Sequence, residues 1–265
     1  MVPGWNEQRI LITVRTYPVP AKKGIEVSCT GGITDDGKWI RLFPVPYRFL
    51  DGDKRFKKYE WIKVSVTKAT NDLRPESFRL NADSIEIGES VPTANGWRAR
   101  RELIKPLLRG SMCQIRRERD EAGSPTLGIF KPREIRRLII EPAGEPDWTA
   151  NQLADLKQTL LFQTGPTRAL EKIPYNFKYD IRCDEDGCSG HQMTCTDWEM
   201  CQSYRRWRTE YGDKWQSAFR QRYEDEMINR YDTHFYVGTV HQYPNTWIIV
   251  GLFYPPKQAM GDLFD

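Results

Sequence analysis

Several patterns that would point directly to a function are missing from this 265-residue sequence. It has no phosphate-binding P-loop, no G-x-G-x-x-G and no G-x-S-x-G, which argues against nucleotide hydrolysis by that route, dinucleotide binding and serine-hydrolase chemistry. It also lacks the H-x-E…C-x-x-C pattern of the zinc deaminases. Function must therefore be inferred from composition, spacing and residue clusters.

Segments for export or membrane insertion are also missing. The stretch MVPGWNEQRILITVRTYP (1–18) has no charged region followed by an apolar run and a small-residue cleavage site. The longest apolar run, in TWIIVGLFYPP (246–256), is too short to span a bilayer. We expect a cytoplasmic protein with no membrane partner, whose six cysteines stay reduced and serve as metal ligands or catalytic groups more readily than as disulfides.

Composition places the chain among folded globular proteins, with 39% hydrophobic and 29% charged residues. The net charge of +4 is unevenly spread. Residues 1–145 hold 27 Lys and Arg against 19 Asp and Glu, whereas residues 146–265 hold 13 against 17. A basic first half favours a polyanionic partner such as nucleic acid, and the alternative is a solvated basic face without a partner.

Short alternating stretches in the first half predict β-strands punctuated by Gly and Pro. They lie at residues 9–18, 24–33, 38–46, 59–69 and 134–143. Such repetition is typical of a barrel or sandwich. The basic stretch 95–121 predicts a helix interrupted at Pro106 and Gly110. Composition becomes acidic and helix-rich after EPAGEPDW (141–148), so we expect an α+β protein with domains 1–145 and 146–265.

One stretch, CDEDGCSGHQMTC (183–195), holds three of the six cysteines and one of the three histidines. The order Cys183-x4-Cys188-x2-His191-x3-Cys195 supplies four ligands of the types that zinc prefers, although it matches no common zinc finger strictly. We predict one zinc ion on these residues, stabilising the second domain. An iron–sulfur cluster that uses Cys201, or free thiols in a polar turn, are the alternatives.

The next residues, TDWE (196–199), have two explanations. Asp197 and Glu199 follow the predicted metal site directly and would serve as general acid or base in an enzyme. Thr196 and Glu199 also form the spacing of a helix capping box, which explains the motif without catalysis and is the explanation we favour.

A family resemblance lies in the first half. VSCTGGITDDGKWIRLFPV (27–45) and LRPESF (73–78) resemble the dual OB-fold domain of prokaryotic conflict systems, and TLGIFKPREIRRLIIEPA (126–143) would supply a strand of its second barrel. The resemblance covers about residues 8–145. It implies an OB-like β-barrel region in front of the zinc-stabilised α+β module, and a nucleic-acid-binding role in antiviral defence.

OB barrels bind single strands through basic grooves and stacking aromatic rings. The most promising loop, PYRFLDGDKRFKKYEW (46–61), mixes both residue types, and the densest basic run follows residue 97. The candidate nucleic-acid contacts are Trp39, Arg41, Arg48, Lys54, Arg55, Lys57, Lys58, Arg74, Arg98, Arg100 and Arg101.

The leading hypothesis is therefore a nucleic-acid-binding protein, with DNA preferred over RNA as the expected partner. The second hypothesis is an enzyme acting on nucleic acid, either a nuclease or a glycosylase for modified bases, that uses Asp197 and Glu199. The third is a protein-interaction adaptor, in which the tail QAMGDLFD (258–265) makes a weak sliding-clamp contact, because it resembles clamp-docking peptides that end in DLF.

Overall fold

The structure is a computed structural model that describes residues 4–21, 26–162 and 169–257. Its strands are β1 (Asn6–Arg15), β2 (Val19–Pro20), β3 (Glu26–Thr34), β4 (Trp39–Val45), β5 (Glu60–Lys68), β6 (Ser77–Leu80), β7 (Glu86–Ser90), β8 (Leu108–Arg109), β9 (Leu127–Phe130), β10 (Glu134–Pro142), β11 (Tyr175–Arg182), β12 (His191–Cys195), β13 (His234–Thr239) and β14 (Trp247–Phe253). Its helices are α1 (Ala94–Ile104), α2 (Met112–Ala122), α3 (Ala150–Phe162), α4 (Trp198–Tyr211), α5 (Trp215–Arg220) and α6 (Glu226–Asn229). No helix within the described ranges is long and apolar enough to cross a membrane.

The first sheet closes on itself as a five-stranded β-barrel. Its strands follow the order β1-β3-β4-β6-β5, and β1 pairs with both β3 and β5, so Ile10 faces Thr34 on one side and Ile62 on the other. The β4–β6 pair is parallel, and the other pairs of the ring are antiparallel. Closure gives each ring strand two neighbours and removes the open edges that a sheet otherwise has.

Alternating side chains fill the barrel. Ile62, Val64 and Val66 of β5 point inward, as the alternation in that stretch predicts. A Cβ on Gly32 would lie 2.6 Å from the Ile10 Cγ2 and 2.7 Å from the Leu11 carbonyl oxygen, so only glycine allows β3 to approach β1 this closely. The buried core consists of Ile10, Ile12, Ile40, Leu42, Val45, Leu50, Phe56, Ile62, Val64, Val66 and Ile85.

The second sheet is mixed, in the order β10-β11-β12-β14-β13-β9-β8. Parallel pairs join β12 to β14 and β8 to β9. Its core is aromatic: the Phe177 ring centroid lies 4.5 Å from that of Phe219, and the Tyr204 centroid lies 4.7 Å from that of Trp215. These aromatic side chains of α4 and α5 therefore belong to the core of the second unit.

Two compact units divide the chain differently from the predicted boundary after residue 145. The first unit comprises residues 1–90 and 140–176, and the second comprises 91–139 and 177–265. Segment 91–139 joins the second unit because β8, β9 and the start of β10 pair within its sheet. Segment 126–143, predicted to supply a strand of a second barrel, instead supplies β9 and β10 of the second sheet, for which the described residues show no closing pair.

This division also changes how the charge is distributed. The first unit holds 18 Lys and Arg against 17 Asp and Glu, and the second holds 22 against 19. The basic surplus is concentrated in segment 91–139, with 12 against 5. The barrel unit is therefore nearly neutral, and the basic character expected of it lies in the second unit.

Candidate metal centre and basic surface

Three cysteines and one histidine come together in the second unit. Cys183 follows β11, Cys188 lies in the next turn, and His191 is the first residue of β12. Cys113, the second residue of α2, completes the group from 70 positions earlier in the chain. The four ligand atoms all lie within 4.8 Å of one another, so the group could hold a metal ion.

Distances within this group suit tetrahedral coordination. The His191 Nε2 lies 3.3 Å from the Cys113 Sγ and 3.5 Å from the Cys188 Sγ. Metal bonds of roughly 2.0–2.3 Å in a tetrahedron place neighbouring ligand atoms about 3.5 Å apart. The imidazole therefore presents one nitrogen to the same point in space as the thiols.

The pKa values of two of the thiols, Cys113 and Cys183, are raised. Burial, and then the neighbouring Cys183 and Cys188, raise the pKa of Cys113 to about 12. Burial also raises the pKa of Cys183, although the N–H groups of Cys113 and Met112 at the start of α2 act in the opposite direction. Adjacent thiolates repel one another, and a divalent cation at their centre would reverse that effect.

The other two ligands are prepared by the local backbone. Burial opposes ionisation of Cys188, but hydrogen bonds from the N–H groups of Cys183 and Gly190 outweigh it and lower the pKa of Cys188. Gly190 has a φ of +101°, a conformation that favours glycine, and it leads the chain directly into His191. Burial, then the charge of Arg116, lowers the pKa of His191, so its ring is neutral and able to ligate at pH 7.

A second set of contacts fixes the turn against α2. The Glu185 carboxylate accepts hydrogen bonds from the Ser111 hydroxyl and from Arg117, whose Nη1 lies 2.7 Å from Oε2. The Ser111 Oγ also accepts from the Gln114 N–H at 2.8 Å and so caps the helix that carries Cys113. Outer contacts of this kind hold ligands in place when a metal binds.

Cys195 does not belong to the group, so the structure corrects its predicted role as the fourth ligand. It lies at the other end of β12 from His191, and four residues of strand separate them by about 13 Å. Its partners across the sheet are Phe177 and Ile249, and its side chain is buried. Cys201 is buried in α4 and also lies outside the group, which removes the four-cysteine arrangement of an iron–sulfur site.

Asp197 acts as a helix cap. Its carboxylate accepts a hydrogen bond from the Met200 N–H at 3.0 Å, and it is 1% exposed, so a substrate cannot reach it in this conformation. Glu199 is exposed on the first turn of α4. The capping explanation is therefore preferred, although Asp197 holds the cap position that the motif assigns to Thr196.

The predicted nucleic-acid contacts separate into two sets. Several are held by neighbouring groups: Arg41 is 2% exposed, with its Nη1 3.8 Å from the Cys29 Sγ, and Arg48 and Arg74 form ion pairs with Glu26 and Asp72 at 2.8 and 2.5 Å. The buried Arg41 cannot contact phosphate in this conformation, which corrects its predicted role.

The remaining candidates are more varied. Lys54 lies 3.9–4.0 Å from Asp51 and Asp83, and Arg101 binds Asp232. The Arg100 guanidinium stacks over Trp97 at 4.8 Å. Trp39 and Lys58 are half-buried. The exposed candidates are Arg55, Lys57 and Arg98.

The predicted contacts stop at Arg101, although the sequence marks 95–121 as basic and further exposed basic residues of segment 91–139 follow Arg101. The positive charge of segment 91–139, counted separately from residues 1–90, indicates these residues. They are Lys105, Arg116, Arg117, Lys131, Arg133, Arg136 and Arg137.

Two family models match the chain. The larger one, described as a domain of unknown function (DUF8757), matches residues 108–265, more than half of the chain. The chain belongs to this family. A second domain of unknown function (DUF8758) matches residues 6–106, which include the whole barrel. No curated protein matches the chain. All four residues of the Cys/His group lie inside the DUF8757 region, so that family domain contains the complete centre.

Proposed function

We propose that this protein binds nucleic acid and that one zinc ion holds its second unit together. The observation that carries the first part is the path of the barrel. Numbered along the chain, the ring strands follow the order 1-2-3-5-4-1 with a parallel 3–5 pair. That path is the one taken by the OB-fold, a barrel that binds single strands on the face of its second and third strands.

That face corresponds to the outward side of β3 and β4. Ile40 and Leu42 point into the barrel, so Trp39, Arg41 and Phe43 alternate on the outside of β4. Trp39 is half-buried and Phe43 is 41% exposed. Aromatic faces on this surface offer stacking positions for unpaired bases, and each stacked base contributes about 1–3 kcal/mol.

Phosphate contacts are assigned to segment 91–139 of the second unit. Its exposed basic residues include Arg98, Lys105 and Arg116. The segment holds 12 Lys and Arg against 5 Asp and Glu, an excess of positive charge that favours contact with phosphates. The barrel unit, being nearly neutral, contributes stacking more than charge.

Zinc is the proposed metal because three thiolates and one imidazole form a ligand set characteristic of structural zinc sites. Four protein ligands leave no open coordination position, so the ion supplies folding energy rather than catalysis. The group links α2 to the β11–β12 turn, two parts of the second unit that are far apart in sequence.

Fluorescence anisotropy with labelled single-stranded DNA and RNA of about 20 nucleotides tests the binding proposal. Affinity should fall at least tenfold between about 50 and 200 mM salt, because phosphate contacts release counterions. Phe43→Ala should weaken binding roughly fivefold or more. The matched control is Tyr243→Ala, which removes a 65% exposed aromatic ring from the β13–β14 loop. Absence of binding at low salt, or binding unaffected by salt, would overturn the proposal.

A further inference from the structure

A cleft of about 580 Å³ lies in the second unit, and none of the four Cys/His residues is among those that line it. One wall is formed by the β9–β10 connection and the start of β10. The opposite wall is formed by α6 and the residues that follow it, together with Lys257. Its volume lies within the range of pockets that hold small organic ligands.

The charges in this cleft favour an anion. Arg101, Lys131, Arg133 and Lys257 line it, against two carboxylates, Glu134 and Asp232. Among these, Asp232 is already neutralised, because its carboxylate lies 2.7 Å from the Arg101 Nη1 and 2.6 Å from the Lys131 Nζ. Burial opposes its ionisation, but Lys131 and Arg101 outweigh that effect and lower the pKa of Asp232.

The lysines and Arg133 retain the capacity to bind a ligand. Lys257 donates to the Ile228 carbonyl at 2.9 Å, and Lys131 forms an ion pair with Asp232. Because an ammonium group has three N–H donors, each lysine can also donate to a ligand. The Arg133 side chain is 65% exposed and lies 3.5 Å from Asp184, a distance at which its ion pair is weak. Arg101 is assigned a structural role in the cleft, because its three guanidinium nitrogens donate to the Gly96 carbonyl, the Asp232 carboxylate and the Pro256 carbonyl.

Apart from Thr233, the rest of the lining is apolar or aromatic. Pro132, Ile135, Met227, Ile228 and Tyr231 line the cleft together with the charged residues. A ligand that fits both parts needs a negatively charged end and a flat or apolar body. A phosphate joined through a sugar to a base has this combination.

Two rarely adopted backbone conformations lie next to residues that line the cleft, one through a hydrogen bond to Arg101 and the other through the chain leading into α6. Asn95, Gly96 and Trp97 have consecutive φ values of 51°, 61° and 65°, and the Gly96 carbonyl accepts from Arg101. A π-helical segment spans Gln221–Asp225 and leads directly into α6, which supplies Met227 and Ile228. Left-handed residues other than glycine and π-helical turns cost stability and cluster at functional sites.

We propose that this cleft binds a nucleotide, with Lys131, Arg133 and Lys257 around the phosphate and the half-buried Tyr231 and Ile228 against the base. The nucleotide is either free or one unit of a bound strand, since both present the same chemistry. The inference goes beyond strand binding on the barrel face and does not depend on it.

Calorimetric titration of the zinc-loaded, full-length protein tests this inference, with AMP, adenosine and inorganic phosphate as separate probes. AMP should bind at least tenfold more tightly than either fragment, because only AMP engages both parts of the cleft. Arg133→Ala and Lys257→Ala should each weaken AMP binding about tenfold, the loss expected when a hydrogen bond to a charged group is removed. The control is Arg230→Ala, which removes an equally exposed arginine, with a 68% exposed side chain, that does not line the cleft.

The same variants are then tested with the labelled single strand. Weaker binding of both AMP and the strand identifies a strand unit as the ligand, and weaker binding of AMP alone identifies a free nucleotide. If the strand binds the cleft variants as well as the wild type and AMP fails to bind, the inference is overturned while the proposed function stands. AMP binding that neither variant weakens also overturns it. If neither the strand nor AMP binds, both proposals fall.

Discussion

The two units solve the same problem of sheet stability in different ways. The barrel pairs β1 with β5 and so closes its ring, and its core is aliphatic, built from Ile, Leu and Val with Phe56. The second sheet runs from β10 to β8 without a pairing between these two strands in the described residues. Its core is aromatic, and a Cys/His group links its α2 to the β11–β12 turn.

This difference shows which unit a bound metal ion would stabilise more. A closed ring satisfies the backbone groups of its strands by pairing alone. In the second unit, the turn that contains Gly187 and Gly190 is joined by Cys113 from a helix far away in sequence. A zinc ion bound there, as proposed, would stabilise that long-range contact by about 10–16 kcal/mol, the value for structural zinc in small domains.

The largest expected effect comes from removing the metal. Cys183→Ser, or a strong chelator, should unfold the second unit and leave the barrel folded, because only one of the two units contains the ligands. Hydrogen exchange read by mass spectrometry should show lost protection in residues 177–257 and retained protection in β1–β6. The control Cys29→Ser changes a cysteine of the barrel strand β3. Retained protection of residues 177–257 in the metal-free protein would contradict the comparison.

A sharper test separates Cys113 from Cys195. Cys113→Ser should reduce bound zinc from about one equivalent per chain to less than half, because three ligands bind much more weakly than four. Cys195→Ser should retain about one equivalent, since Cys195 lies at the far end of β12 from His191. Elemental analysis measures both, and visible absorption tests for an iron–sulfur chromophore. Loss of zinc in Cys195→Ser alone would restore the local arrangement 183–195.

The barrel should be sensitive to packing instead. Gly32→Ala places a Cβ against Ile10 and the Leu11 carbonyl, and should lower the free energy of unfolding of the barrel by about 1–3 kcal/mol. Gly52→Ala is the matched control, because nothing lies within 4 Å of its added Cβ and its φ is not positive. Chemical denaturation followed by hydrogen exchange measures the difference. Zinc content should be the same in both variants, and a loss of zinc in Gly32→Ala would show that the units are coupled.

The smallest effect is expected at the cap of α2. Ser111→Ala removes the hydroxyl that accepts from the Gln114 N–H and donates to Glu185, and should destabilise the second unit by about 1 kcal/mol. Thr93→Ala is its control, since Thr93 precedes α1 without a side-chain capping bond. Thermal unfolding of the zinc-loaded protein compares them. Equal melting temperatures would mean that the metal, and not the cap, fixes the start of α2.

Local patterns predict many of the elements. The alternation in 59–69 becomes β5, and the Pro106–Gly110 interruption separates α1 from α2. Strand β12 is not predictable from the sequence, because a five-residue strand that begins with a candidate ligand looks like part of a metal-binding loop. The tail 258–265 lies outside the described residues, so its sliding-clamp contact stays a prediction. Nucleic-acid binding and the cytoplasmic location also stay predictions.

Only part of the candidate metal site can be predicted from the sequence. Cys183, Cys188 and His191 are near neighbours in the chain, and their residue types and glycine-rich turn predict a shared ligand. Cys113 carries no local signal apart from its place after Ser111 at the start of a helix. Its distance of 70 positions from Cys183 hides it from any spacing rule.

The sequence by itself determined much of the local structure: several of the strands, the break between α1 and α2, and the cluster of soft ligands that follows β11. Those features depend on side-chain periodicity and backbone preferences within a few residues. Only the tertiary structure decided that Cys113 replaces Cys195, that segment 91–139 carries its charge into the second unit, and that a cleft forms beside Asp232. These outcomes depend on strand pairing and packing between residues distant along the chain. The extended backbone of β12 separates Cys195 from His191, whereas the tertiary fold brings Cys113, on helix α2, beside His191.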